Sequence, residues 1–263
     1  MAFLRTDLTV NAGRATVRVA KAGAGDPLVY LHGAFGYQGW PAFLDRLSDR
    51  FTVYAPVHPG FGETDGVEAM DDLLDLTLYH LDLLDALELE RPHLVGHFFG
   101  AMAAAETAAL HPHRVDRLVL ASPAGLWLED DPGVDYFVTP PSELRALLFA
   151  DPDSEIARST VPEATTDEER QQQSIERGRS LSTVARFLWP IPDKGLAKRL
   201  HRIKSPTLVI VADRDPIVPP AHGDAFAALI PDCRVSTIEG AGHLFPLERP
   251  DEFADLVTGF LAT

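Results

Sequence analysis

The chain has 263 residues, 46% hydrophobic and 24% charged, with 39 acidic against 23 basic side chains and a net charge of −16 at pH 7. That balance excludes a disordered or collagen-like chain, and it argues against nucleic acid or an anionic membrane surface as the main partner. The single cysteine, Cys233, excludes an internal disulfide framework; no run approaches the roughly 18 apolar residues of a membrane span, and the opening MAFLRTD lacks a signal-peptide core, so a cytoplasmic protein is expected.

Two β-rich runs near 6–10 and 14–20, around Asn11-Ala12-Gly13, read as a hairpin. Compact apolar runs follow at 27–31, 51–55, 93–96, 118–121, 207–212 and 234–238. Apolar runs this short and continuous predict strands buried on both faces. Helical patterns lie between them, near 39–49, 70–88, 99–110, 220–230 and 249–262. In the second of these, Leu73, Leu74, Leu76, Leu81, Leu83, Leu84 and Leu87 form the expected apolar face. Alternating strands and helices predict an α/β fold with a mostly parallel, eight-stranded sheet flanked by helices.

Residues 123–205 break that rhythm. No strand pattern appears there, and Pro132, Pro140, Pro141, Pro152, Pro162, Pro190 and Pro192 divide the stretch into helices at about 141–149, 167–187 and 194–202. The economical division is a core of 1–122 and 206–263 carrying a helical cap, or lid, of 123–205.

Ligands of an open α/β sheet bind beyond the carboxyl ends of its strands. The segments at those ends are His32-Gly33-Ala34-Phe35-Gly36, His58-Pro59-Gly60-Phe61-Gly62-Glu63-Thr64, Gly96-His97-Phe98-Phe99-Gly100, Asp213-Arg214-Asp215 and Gly240-Ala241-Gly242-His243. In order and spacing this set resembles the α/β-hydrolase superfamily along the whole chain. The likeness is to its capped group of small esterases and meta-cleavage C–C hydrolases. The resemblance implies an esterase-like hydrolase with a Ser-His-Asp catalytic triad. Gly96 and Gly100 would flank the sharp strand-to-helix turn, or nucleophile elbow, that presents the nucleophile. Asp215 (with Asp213 as alternate) would orient His243 as the base. The N–H groups of Ala34 (or Phe35) and Phe99 would form the oxyanion hole.

This chain departs from that pattern at one position. The elbow residue is Phe98, which has no lone pair to attack a carbonyl and no proton to lose, so serine chemistry does not run through it. Ser122 and Cys233 are poor substitutes: the first lacks flanking glycines, and the second precedes the last strand, at the opposite end of the sheet. Three readings follow. The chain is an inactive or altered variant of an ester hydrolase, a non-hydrolytic ligand binder, or a nucleophile-free enzyme (a lyase or cofactorless oxygenase) using the His243–Asp215 dyad as general base.

The other histidines read as structural: His32, His58 and His97 brace loops, and His111 and His113 are solvated. No Cys/His set has zinc spacing. Gly33, Gly36 and Gly39 do not match the dinucleotide fingerprint. Neither metal nor cofactor is therefore expected. The expected partner is a small, fairly apolar, ester-like substrate, with the chain a monomer or homodimer. Phe35, Trp127, Phe137, Phe149, Phe187 and Trp189 are the candidate pocket residues, two of the five cap aromatics being expected to face the sheet.

Overall fold

The computed structural model describes residues 3–36, 39–62, 64–189 and 194–262. Glu63, Pro190 and Pro192, singled out above, lie outside the described residues. The apolar runs pair into one eight-stranded sheet, in the order β1-β2-β4-β3-β5-β6-β7-β8. The strands are β1 (Leu4–Val10), β2 (Ala15–Ala22), β3 (Pro27–Leu31), β4 (Thr52–Pro56), β5 (His93–His97), β6 (Leu118–Ala121), β7 (Thr207–Ala212) and β8 (Cys233–Ile238). β2 runs antiparallel to both β1 and β4, and the remaining pairs are parallel.

The helices are α1 (Ala42–Ser48), α2 (Leu73–Ala86), α3 (Phe99–Leu110), α4 (Leu144–Leu148), α5 (Glu155–Thr160), α6 (Asp167–Leu188), α7 (Ala221–Leu229), α8 (Phe245–Glu248) and α9 (Pro250–Leu261); α4 to α6 lie in the segment between β6 and β7, and the others flank the sheet on its two faces. Successive strand residues point to opposite faces. Accordingly Val29 and Leu31 join the core under α2 and α3, while Leu28 and Tyr30 join the core under α1 and α9. β5, β6 and β7 are buried along their whole length, which is why they carry continuous apolar stretches such as Leu94-Val95, Leu118–Ala121 and Leu208–Ala212.

The sequence expectations shift at three places. α2 starts at Leu73 because the Asp72 carboxylate accepts the N–H groups of Leu74 and Asp75. Leu74 thereby sits in the first turn on the outer side, 52% exposed, and does not belong to the apolar face. Between β6 and β7 no strand occurs among the described residues. There, the expected helix at 194–202 is two short 3₁₀ turns, Leu196–Lys198 and Leu200–Arg202, the first entered through Gly195 at a φ of 87° and the two separated at Arg199. α5, capped by the Ser154 hydroxyl, is an element the sequence reading omitted. α6 begins with a capping box between Thr166 and Glu169 and is tied to the sheet domain near its other end, where Arg186 donates to the carbonyls of Val67 and Met70. Among the described residues no helix is long and apolar enough to cross a membrane.

Candidate functional site

The turn between β5 and α3 is built by its backbone. Phe98 has φ 48° and ψ −107°, a left-handed conformation that costs a bulky residue about 1–3 kcal/mol. Its N–H donates to the Ala121 carbonyl at 2.9 Å, and its own carbonyl accepts from Met102 at 3.0 Å and Ala124 at 3.3 Å. The two glycines are required by close approach. A Cβ on Gly96 would lie 2.5 Å from the Gly100 carbonyl oxygen, and one on Gly100 would lie 2.1 Å from that of Leu31.

The loops after β7 and β8 bring Asp215 and His243 together beside this turn. His243 Nδ1 donates to Asp215 Oδ2 at 2.9 Å, and both residues are buried. Asp215 Oδ1 accepts from the N–H groups of Ile217 (2.9 Å) and Val218 (3.0 Å). Asp213, the alternate, instead accepts the N–H groups of Gly240 and Ala241 and holds the loop leading to His243.

Ser122 completes the carboxylate's shell. Its hydroxyl donates to Asp215 Oδ2 at 2.6 Å, and its φ is 41°. The signal for this was available. Ser122 directly follows β6, which lies between β5 and β7, so it reaches the same sheet edge as residues 98 and 215. Burial raises the Asp215 carboxyl, but the His243 ring, the Ser122 hydroxyl and the Val218 N–H together hold it below its ordinary value.

His243 is fully buried, and its Nε2 has no hydrogen-bond partner among the described residues. The Phe98 ring lies against it, centroids 4.8 Å apart at 86°. His97 Nε2 donates to the His243 carbonyl at 2.9 Å, which fixes the loop from below. The Glu248 carboxylate clamps the same loop, accepting the Gly242 N–H at 2.6 Å and the Ala150 N–H at 2.9 Å, while Leu244 N–H donates to the Leu148 carbonyl. Neither the Ala34 nor the Phe99 N–H has a hydrogen-bond partner among the described residues.

Three further buried histidines support the Ala34 loop. His32 Nδ1 donates to the Gly33 carbonyl (2.7 Å), and His32 Nε2 accepts the His58 N–H (2.9 Å). His58 Nε2 donates to the His32 carbonyl (3.1 Å), leaving His58 Nδ1 to accept from His80 Nε2 (3.4 Å). Burial pushes His32 down to about 4, His80 to about 3 and His97 to about 3, and pushes His58 well below its ordinary value. Among the described residues no group of three or more potential ligands could hold a metal ion.

A cavity of about 230 Å³ opens beside Phe98, between the strand-end loops and the helical segment. Trp127 and Trp189 are in its wall, with Phe98, Tyr136, Ile217 and His222. The other candidates lie elsewhere. Phe187 is buried and stacked on Phe99 at 5.9 Å, and Phe149 is buried with its backbone against Gly242. Phe137 stands behind the wall, 4.3 Å from the Tyr136 ring and 5.8 Å from that of Trp189. For these three the expectation of a place in the pocket wall is corrected: packing within the helical segment and against α3 takes up their apolar surface. Phe35 borders a separate cavity of about 30 Å³ beside His97 and packs on Tyr136 and His243. Asp215 and His243 are absent from the 230 Å³ cavity's wall, so Phe98 separates the pair from it. Tyr136 and His222 are wall residues that sequence reasoning missed; nothing in their local sequence marks them.

Comparison with known proteins agrees with this fold. A family model described as alpha/beta hydrolase fold matches residues 26–250. The chain is 33% identical to a 2-hydroxymuconate semialdehyde hydrolase of Pseudomonas sp. strain CF600, over 92% of this chain and 88% of that one. It is 30% identical to a 2-hydroxy-6-oxo-6-phenylhexa-2,4-dienoate hydrolase of Comamonas testosteroni, over 92% and 89%. Among solved structures, a meta-cleavage product hydrolase of Pseudomonas fluorescens IP01, a Ser-to-Ala mutant complexed with acetates, superposes with a TM-score of 0.76 at 25% identity, over 98% of this chain and 97% of that one.

Proposed function

The chain belongs to the alpha/beta hydrolase fold family, and from that premise we propose that it is an inactive or altered variant of a small-molecule ester hydrolase, its apparatus assembled except for the nucleophile. In this reading residues 123–205 act as a cap over a core of 1–122 and 206–263, and the 230 Å³ cavity between them takes a small, fairly apolar compound. His243 is the base, Asp215 orients it, and the N–H groups of Ala34 and Phe99 are the oxyanion donors. Phe98 occupies the nucleophile's place, so the chain binds its ligand without forming an acyl-enzyme.

The observation that carries this reading is the Phe98 ring lying between the cavity and an unpartnered His243 Nε2. A general base acting without a nucleophile has weaker support, because His243 is fully buried and outside the cavity wall. The turn, the acid and the base are all in place, which is what a hydrolase needs and a simple binder does not.

The deciding experiment is Phe98→Ser. The new hydroxyl would stand at the elbow within reach of His243 Nε2, which takes its proton as it attacks a carbonyl. A nucleophile contributes about 10⁶-fold to turnover in such triads, so a gain of at least about 10³-fold over the parent chain is expected. The panel contains activated short-chain esters and, following the relatives' names, 2-hydroxy-6-oxo-dienoates. Phe98→Ser combined with His243→Ala is the control and should match the parent. A folded Phe98→Ser protein that hydrolyses nothing on this panel would overturn the reading.

A further inference from the structure

β1 is the outermost strand on its side of the sheet and, among the described strands, is bonded to β2 alone. Such an edge presents a row of free N–H and C=O groups, which natural proteins blunt with very short strands, lysine, proline or a bulge. β1 uses none of these. It is seven residues long, Leu4-Arg5-Thr6-Asp7-Leu8-Thr9-Val10, and its register on β2 runs unbroken from Leu4 opposite Lys21 to Val10 opposite Ala15. Its first four residues are exposed, Leu4 at 71%.

Alternation puts Leu4, Thr6, Leu8 and Val10 on one face, where Leu8 and Val10 reach the core, and Arg5, Asp7 and Thr9 on the other. The Asp7 carboxylate accepts both arms of Arg18 from β2, at 3.0 and 3.2 Å. Its two oxygens have lone pairs left for a second guanidinium. Arg5 lies over the Phe3 ring and makes no ion pair among the described residues.

Symmetry and charge select the partner. Residues opposite each other in an antiparallel ladder share a face, and a two-fold axis through the sheet keeps every residue on its own face. A strand that joins its own copy therefore sets each residue opposite itself or opposite one an even number of positions away. Centred on Thr6, the pairing sets Arg5 opposite Asp7 of the second copy, in both directions, and Leu4 opposite Leu8. Centred on Arg5 or on Asp7, it sets like charges face to face, which destabilises a ladder where unlike charges support it. β8, at the other edge of the sheet, has no such register. Arg234 and Glu239 are an odd number of positions apart, and opposing Arg234 to Asp232 leaves most of Cys233–Ile238 unpaired. The net charge of −16 sets two copies against each other over most of their surface, whereas β1, with one arginine and one aspartate, is locally neutral.

We propose that β1 pairs antiparallel with β1 of a second copy about a two-fold axis at Thr6, which joins the two sheets into one and makes the protein a homodimer. The test is sedimentation velocity on the whole chain and two charge variants. The parent should sediment as a dimer in the micromolar range. Arg5→Asp sets two carboxylates opposite each other in both charged rows, and Asp7→Arg sets two guanidinium groups there. Each variant alone should dimerise at least about tenfold more weakly. Mixed in equal amounts, the two variants oppose unlike charges in both rows, so a mixed dimer should return; damage to the fold would not be repaired by mixing. A parent that stays monomeric into the hundred-micromolar range, single variants that dimerise as the parent does, or a mixture that stays monomeric overturns the inference.

Discussion

The rings of Phe98 and His243 pack nearly perpendicular, 4.8 Å apart between centroids, and the imidazole Nε2 has no hydrogen-bond partner among the described residues. The contact exchanges a polar task for an apolar one at the same place. Its stability consequence can be bounded. Truncating a buried Phe costs about 3–5 kcal/mol, and removing a bulky residue from a positive φ returns up to about 1–3 kcal/mol. Phe98→Ser should therefore destabilise the fold by about 2 kcal/mol, read as a lower urea midpoint at unchanged m-value. A loss above about 5 kcal/mol would mean that the ring is a principal core residue and not a tenant of the elbow.

Ser122→Ala removes a donor from a buried, ionised carboxylate. Hydrogen bonds to charged groups are worth about 1.5–3 kcal/mol, so urea unfolding at pH 7 should show a loss in that range. The Asp215 carboxyl should also move upward, because the Ser122 hydroxyl is one of the groups holding it down. Side-chain carboxyl NMR titration checks the shift. A loss of stability with no movement of Asp215 would separate a packing role from an electrostatic one.

The buried histidines predict acid sensitivity. Burial holds four of them, His32, His58, His80 and His97, below the ordinary 6.5. The unfolded chain therefore binds the protons first as pH falls. Stability is fully present above pH 6.5 and is lost downward from there, toward about 4 for His32 and about 3 for His80 and His97. Each such group contributes up to about 1.4 kcal/mol per pH unit across its window. Unfolding free energies measured from pH 8 to pH 5 should decline steeply below 6.5, and His80→Leu should flatten the slope. Asp215 contributes nothing in this range, since its depressed value places its effect below its ordinary 3.8. A level profile from pH 7 to pH 5 would contradict the buried, neutral assignment.

Gly100→Ala tests the elbow's geometry. Its new Cβ would meet the Leu31 carbonyl 2.1 Å away, and backbone gives way far less readily than a side chain. The expected result is a loss of more than about 3 kcal/mol or no folded protein, scored by thermal melting. The same change at Gly178, where a Cβ meets nothing within 4 Å, should be neutral or stabilising, since Ala is the better helix former.

The strands were legible because parallel strands covered on both faces are predominantly apolar, as β6 and the interior of β7 are, with Leu94 and Val95 marking β5. Gly96, Gly100, Asp215 and His243 were legible because turn sterics and strand-end position constrain residue type. Ser122 was read only as a failed nucleophile, although its place after β6, between β5 and β7, put it at the same sheet edge as Asp215. Long-range packing hid the cavity wall. The cap aromatics look alike in sequence, yet Phe187 stacks on Phe99 while Trp189 stands 51% exposed at the cavity. The short elements at 155–160 and 196–202 were missed or misread because caps and single glycines, not periodicity, determine them.

Every hydrogen bond that holds residue 98 in its turn runs through main chain: its N–H to Ala121, its carbonyl from Met102 and Ala124. The turn is thus a socket that does not depend on what is plugged into it. In the genetic code, Phe codons (UUU, UUC) become Ser codons (UCU, UCC) by a single pyrimidine transition at the middle base. A lineage carrying this fold therefore stands one point mutation from exchanging an aromatic plug for a hydroxyl, with the backbone already shaped to receive either.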